Sequence, residues 1–212
     1  TTATTIAAVI RMGSASTTDG ATNDTVRNCI ITGSRLVGGV TATYGINIAD
    51  YTLTTTSLAT AATGNNRNIV IQNNIITRCH QGIWAQGTAT GLISVLKIQN
   101  NKLGDGTQAG NIGTRGINLV YTGAVAADAG FISGNEIQVG DPTGTGYASP
   151  NYGIEIGGGN FGLQVVGNNI HDVRQPYTTT GQNAVGILIS GAMTASGISI
   201  CNNFIRDITG SS

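Results

Sequence analysis

The sequence predicts an all-β solenoid, in which short strands wind into stacked coils. Three observations carry that prediction. A unit of the form apolar-x-(Asn/Gly)-Asn-x-apolar recurs at Ile71–Ile76, Ile98–Leu103, Ile132–Ile137, Val165–Ile170 and Ile200–Ile205. A second motif, Gly-Ile-x-apolar, alternates with it as GINI at 45–48, GIWA at 82–85, GINL at 116–119, GIEI at 153–156 and GILI at 186–189. Around both motifs the residues read as short, Gly-bounded, Ile- and Val-rich strands with period-two alternation and no helical period.

The elements follow in order. A weaker copy of the first unit has Asn28 as its asparagine and Ile30 as its closing residue. The key asparagines are then Asn28, Asn74, Asn101, Asn135, Asn168 and Asn203, spaced 46, 27, 34, 33 and 35 residues apart. A variable period of roughly 30 residues marks a solenoid. Each repeat supplies three strands. One precedes the asparagine (NIVI, VLKI, GFI, LQVV, ISI), one follows it (IIT, KLG, EIQ, NIH, FIR), and the third is the Gly-Ile strand. The 46-residue interval between Asn28 and Asn74 leaves room for one coil or two.

This pattern resembles the right-handed parallel β-helix of the pectate-lyase-like superfamily, over residues 25–208. The resemblance implies a single-stranded helix of about six coils, with three short parallel strands per coil. It also implies that the asparagines stack as a ladder at a tight turn. Asn tolerates the left-handed backbone better than other non-Gly residues, and its amide can bond to the asparagine one coil away. Residues 1–24 match the repeat poorly and read as an irregular first coil or a junction. The whole of 1–212 reads as one β-helix domain, expected to be part of a longer chain.

Composition excludes several function classes. Charged residues make up 9% of the chain, with ten basic and ten acidic. That balance leaves no electrostatic footprint for nucleic acid or an anionic membrane. No apolar run approaches the roughly 18 residues of a membrane span. Soluble domains average about 25% charge, so the low value points to an extracellular or cell-surface protein. Cys29, Cys79 and Cys201 lie in different repeats and read as small buried apolar residues.

Candidate chemistry lies where the residues do not repeat. In polysaccharide enzymes that this fold resembles, the working face is the outward side of the strand read here as Gly-Ile. Alternation places Asn47, Trp84, Asn118, Glu155 and Leu188 in one outward row, and Ala49, Gln86, Val120, Gly157 and Ser190 in a second. Trp84, Gln86, Arg115, Asn118 and Glu155 form the candidate ligand site, an aromatic platform beside hydroxyl-binding groups. Hydrolysis needs two carboxylates about 5–10 Å apart, and this row offers Glu155 alone. The lyases of the superfamily use a basic proton abstractor and Asp-rich calcium sites, and the row has neither Lys nor Asp.

A second cluster follows the asparagine turn, where Arg78, Asp105, Val139, Asp172 and Asp207 stand two residues past the closing apolar position. Asp172 and Asp207 fall on adjacent coils and want a cation, either Arg174, Arg206 or a metal. They are the weak metal candidates. No cofactor is expected, and Ca²⁺ is the ion this pair would take. Thr-x-Thr runs at 41–43, 52–54, 88–90 and 143–145 fall in loops at no fixed offset, which argues against a regular ice-matching array. One glycosylation sequon stands at 23–25. The leading expectation is a non-catalytic surface, adhesin or stalk module with weak glycan contact. A polysaccharide lyase or glycoside hydrolase, and a filament or tailspike-like subunit, are the alternatives. Expected partners are a polysaccharide, another surface protein, or a second copy meeting end to end or laterally.

Overall fold

The computed structural model describes residues 7–14, 16, 18–34, 43–50, 65–89, 91–107, 109–123, 130–140, 149–176, 182–191 and 197–210. These residues build a parallel β-solenoid with no helix among them. The Thr-x-Thr runs at 52–54 and 143–145 lie outside the described residues, as do Thr41 and Ala42 of the first run and Thr90 of the third.

Three parallel sheets run along the coil. The Gly-Ile sheet stacks Ala7–Ser14, Thr43–Asp50, Gln81–Gln86, Arg115–Val120, Asn151–Ile156 and Ala184–Ile189 in that order. The sheet before the asparagine stacks Thr25–Arg27, Val70–Gln72, Lys97–Gln99, Phe131–Ser133, Gln164–Val166 and Ser199–Cys201. The sheet after it stacks Ile30–Thr32, Ile75–Thr77, Lys102–Leu103, Glu136–Val139, Asn169–Arg174 and Phe204–Ile205. Thr25–Arg27 and Ile30–Thr32 pair directly with Val70–Gln72 and Ile75–Thr77. The long interval between Asn28 and Asn74 therefore holds one coil. The segment read as an irregular start contributes a full strand, Ala7–Ser14, paired in register with Thr43–Asp50.

The register sets apolar residues into inward columns. Ile71, Ile98, Ile132 and Val165 form one and Ile76, Leu103, Ile137 and Ile170 another, all 0% exposed. The Gly-Ile sheet adds Ile46, Ile83, Ile117 and Ile154, also fully buried. Burial at roughly 25 cal/mol per Å² of apolar area drives the coils together. The glycine of each Gly-Ile strand is required by space. A Cβ on Gly116 would stand 2.5 Å from the Gly153 carbonyl oxygen and 2.5 Å from Ile137 Cγ2. Gly82 and Gly153 face the same clash with the glycine carbonyl of the next coil.

The asparagine turn uses two adjacent positions with different jobs. The first takes the left-handed backbone, at Asn28, Asn73, Asn100, Gly134, Gly167 and Asn202, with φ between 54° and 66°. The second carries the ladder. Asn135 donates its backbone N–H and its Nδ2 to Asn168 Oδ1 at 3.0 and 2.9 Å, and Nδ2 also reaches the Ile98 carbonyl at 2.9 Å. Its Oδ1 accepts the matching pair from Asn101, both at 2.9 Å. The pattern repeats from Asn74 to Asn101 and from Asn168 to Asn203. From Asn74 to Asn168 the donors and acceptors of each ladder side-chain amide are thereby satisfied out of water.

Asn28 is not a rung. Ile30 pairs with Ile75, so Cys29 stands opposite Asn74, and the Cys29 backbone N–H donates to Asn74 Oδ1 at 3.0 Å. Asn28 belongs to the left-handed column, one residue earlier. The ladder therefore runs from Asn74 to Asn203 and is closed at its first coil by backbone alone. The cysteines also differ from expectation. Cys79 alone is buried, Cys29 and Cys201 are exposed, and all three are free thiols. Burial pushes the Cys79 thiol up to about 12, against a bond from the Gly33 backbone.

Candidate functional site

The outward row of the Gly-Ile sheet is assembled as alternation requires. Asn47 pairs with Trp84, Trp84 with Asn118, Asn118 with Glu155 and Glu155 with Leu188. The first strand extends the row with Arg11, opposite Asn47. A column that the sequence reading missed runs beside it, formed by the residue before each glycine. Tyr44, Gln81, Arg115, Tyr152 and Val185 stack there. Applying the Arg115 offset to every repeat finds them.

These side chains bind one another. The Tyr44 and Trp84 rings meet edge to face, with centroids 5.6 Å apart. The Arg115 guanidinium lies over both Trp84 and Tyr152, at 5.9 and 5.3 Å from the ring centroids. Its Nε donates to Glu155 Oε2, and Asn118 Nδ2 donates to the same oxygen at 2.7 Å. Trp84 Nε1 donates to Gln86 Oε1 at 3.0 Å. Burial raises the Tyr44 hydroxyl above its ordinary value, opposed by Arg115. Tyr152 is raised by burial and by Glu155, again opposed by Arg115. Gln81 and Asn118 are buried, and Gln81 Oε1 and Asn118 Oδ1 have no hydrogen-bond partner.

All five candidates, Trp84, Gln86, Arg115, Asn118 and Glu155, therefore fall in one network. It offers an arginine on an aromatic face and a single carboxylate. Glu155, the one carboxylate of the outward row, is engaged by two donors through Oε2. A paired-carboxylate mechanism has no second member in this row.

The second cluster sits on the outer face of the sheet after the asparagine. Its strand Asn169–Arg174 carries a β-bulge, because Ile137 pairs with Ile170 whereas Val139 pairs with Val173. Asp172 occupies the bulge with φ 52°, and Arg78 and Asp207 are left-handed at the same point of their coils. Bulges re-aim side chains. This one brings Asp172 Oδ2 to 2.9 Å from His171 Nδ1, with Gln138 Nε2 at 3.3 Å from the same nitrogen. His171 Nε2 lies 3.6 Å from Glu136, which also pairs with Lys102 at 3.4 Å. Arg174 donates to Asp172 at 2.6 Å. The His171 bond, more than Arg174, holds the Asp172 carboxyl below its ordinary value, against the cost of its burial.

Asp207 pairs with Arg206. Asp172 and Asp207 thus take arginine partners. Among the described residues no three His, Cys, Asp or Glu side chains gather to hold a metal ion. No described helix is long and apolar enough to cross a membrane.

Comparisons with protein families, with curated proteins and with solved structures found no match to this chain.

Proposed function

We propose that the chain is a non-catalytic β-helical module of an extracellular or cell-surface protein, a stalk or adhesive surface of the pectate-lyase-like type. One observation carries this reading: on the face where such a fold would do chemistry, the one carboxylate of the outward row, Glu155, already accepts from both Arg115 and Asn118 through Oε2. A general acid or base works best with a pKa near the working pH, and two donors on Glu155 Oε2 favour its ionised form. The half-buried Trp84 beside this network is the point for weak glycan contact, with its N–H already on Gln86.

The test is direct. The protein is incubated with neutral, acidic and amino polysaccharides, with and without Ca²⁺, and new chain ends are measured. No turnover is expected. Turnover that disappears in Glu155→Gln or Asp172→Asn would overturn the reading. Trp84 is the sole tryptophan, so its fluorescence reports glycan contact without interference.

A filament subunit is the second reading, favoured by one feature. Ile30 and Ile75, paired on the outward side of the sheet after the asparagine, are 78% and 43% exposed. Light scattering across a concentration series checks it, and a strict monomer removes it.

A further inference from the structure

We propose that Asn23 is an acceptor for an N-linked oligosaccharide. The chain has twenty asparagines and one Asn-x-Ser/Thr sequon, Asn23-Asp24-Thr25. The fold accounts for much of that scarcity. Two residues past each ladder asparagine comes an inward apolar residue: Ile76, Leu103, Ile137, Ile170 or Ile205. At the first four of these a hydroxyl would be buried in the core. Two residues past the left-handed asparagines Asn28, Asn73, Asn100 and Asn202 come Ile30, Ile75, Lys102 and Phe204.

A second left-handed corner stands five residues before the turns at Asn28, Asn73, Asn100, Gly167 and Asn202, at Asn23, Asn68, Val95, Gly162 and Gly197, with φ from 47° to 63°. Two residues past this corner the chain starts a strand on its outward side, at Thr25, Val70, Lys97, Gln164 and Ser199. Among the described coils, the first alone joins an asparagine at the corner to a hydroxyl at the outward position. Asn23 and Thr25 are both exposed. Asn23 Oδ1 accepts from Asn68 Nδ2 at 2.6 Å, and Asn23 Nδ2 makes no such bond. An open cleft of about 480 Å³, lined by Thr22, Asn23, Arg67, Asn68 and Val95, gives a first sugar room. An exposed turn is the setting this sequon needs to carry its bulky, solubilising modification.

In the transfer, Asn23 Nδ2 bonds to the reducing-end C1 of an oligosaccharide held as a polyprenyl pyrophosphate. The C1–O bond breaks, the pyrophosphate leaves with the electron pair, and a base of the transferase takes the amide proton. The inference rests on the extracellular reading, because the transferase works on secreted chains.

The test expresses the 212-residue chain in eukaryotic cells behind a supplied leader and measures intact mass before and after peptide N-glycosidase. One glycan per chain is expected, absent from both Asn23→Gln and Thr25→Val. A secreted, folded and unmodified product overturns the proposal, as does a glycan that persists in Asn23→Gln. The supplied leader keeps this result separate from the extracellular reading. That reading falls instead if the protein in its own source is found inside cells.

Discussion

Asn135 and Asn118 share a residue type and are both buried to within 3% of full, Asn135 at the turn between Phe131–Ser133 and Glu136–Val139 and Asn118 within the strand Arg115–Val120. Their environments differ completely. Asn135 has partners on its Oδ1, on its Nδ2 and on its backbone N–H, supplied by the ladder asparagines of the two neighbouring coils and by the Ile98 carbonyl. Asn118 has one bond, to Glu155, and an Oδ1 with none. The difference is what repetition does. An asparagine in a column of asparagines satisfies itself in both directions. An asparagine between a tryptophan and a glutamate depends on whatever the neighbouring coil holds. Structure is built on the first kind of position, and any individual activity of the chain must lie at the second.

The comparison is broken most severely at the ladder. Asn135→Ala removes an acceptor from Asn101 N–H and Nδ2 and a donor from the Ile98 carbonyl. Each orphaned buried group costs about 1–3 kcal/mol. The expected loss is on the order of 3–5 kcal/mol, read as the urea midpoint at constant slope. A loss of about 1 kcal/mol would mean that the ladder bonds are dispensable.

How far these roles were legible follows from the residues themselves. Repeated asparagines could be aligned because each copy is flanked by inward apolar residues at fixed offsets. What misled was the Asn-Asn pair at 73–74, 100–101 and 202–203, which hides two roles in one residue type. Gly134-Asn135 and Gly167-Asn168 separate them, since a glycine marks the left-handed position and leaves the ladder to the next residue. That rule assigns Asn28 to the turn and Cys29 to the rung. The first strand, Ala7–Ser14, was hidden for a related reason: Val9 stands where the other Gly-Ile strands place glycine. On the candidate site, alternation found the outward row. Tyr44, Gln81 and Tyr152 escaped because their column has no repeated identity to follow. Which groups pair with which was beyond reach, because the contacts among Arg115, Glu155 and Trp84 cross coils that share no motif there.

The opposite arm of the comparison predicts a smaller effect. Asn118→Leu removes one charge-assisted bond to Glu155, and with it a buried oxygen that has no partner. The two changes oppose each other, because an unpartnered buried acceptor is itself unfavourable. A net loss of about 1 kcal/mol is expected by the same urea measurement. A loss as large as that of Asn135→Ala would show that the outward network is as much a part of the scaffold as the ladder.

The smallest effect separates a surface cluster from both. The Asp172 carboxyl is held below its ordinary value of 3.8, chiefly by His171. A depressed carboxylate contributes stability that is fully present above its ordinary value and lost as pH falls through its folded value. Asp172→Asn should therefore lie below the native chain in stability at pH 7, with the gap closing in strong acid. The Asp172 side chain is 26% exposed and Arg174 is 43% exposed, so solvent and salt weaken the pair. Urea midpoints of the two proteins at neutral and acid pH, each at low and high salt, decide the point. A gap that stays constant with pH would mean that the bulge geometry, not the charge on Asp172, is what the substitution disturbs.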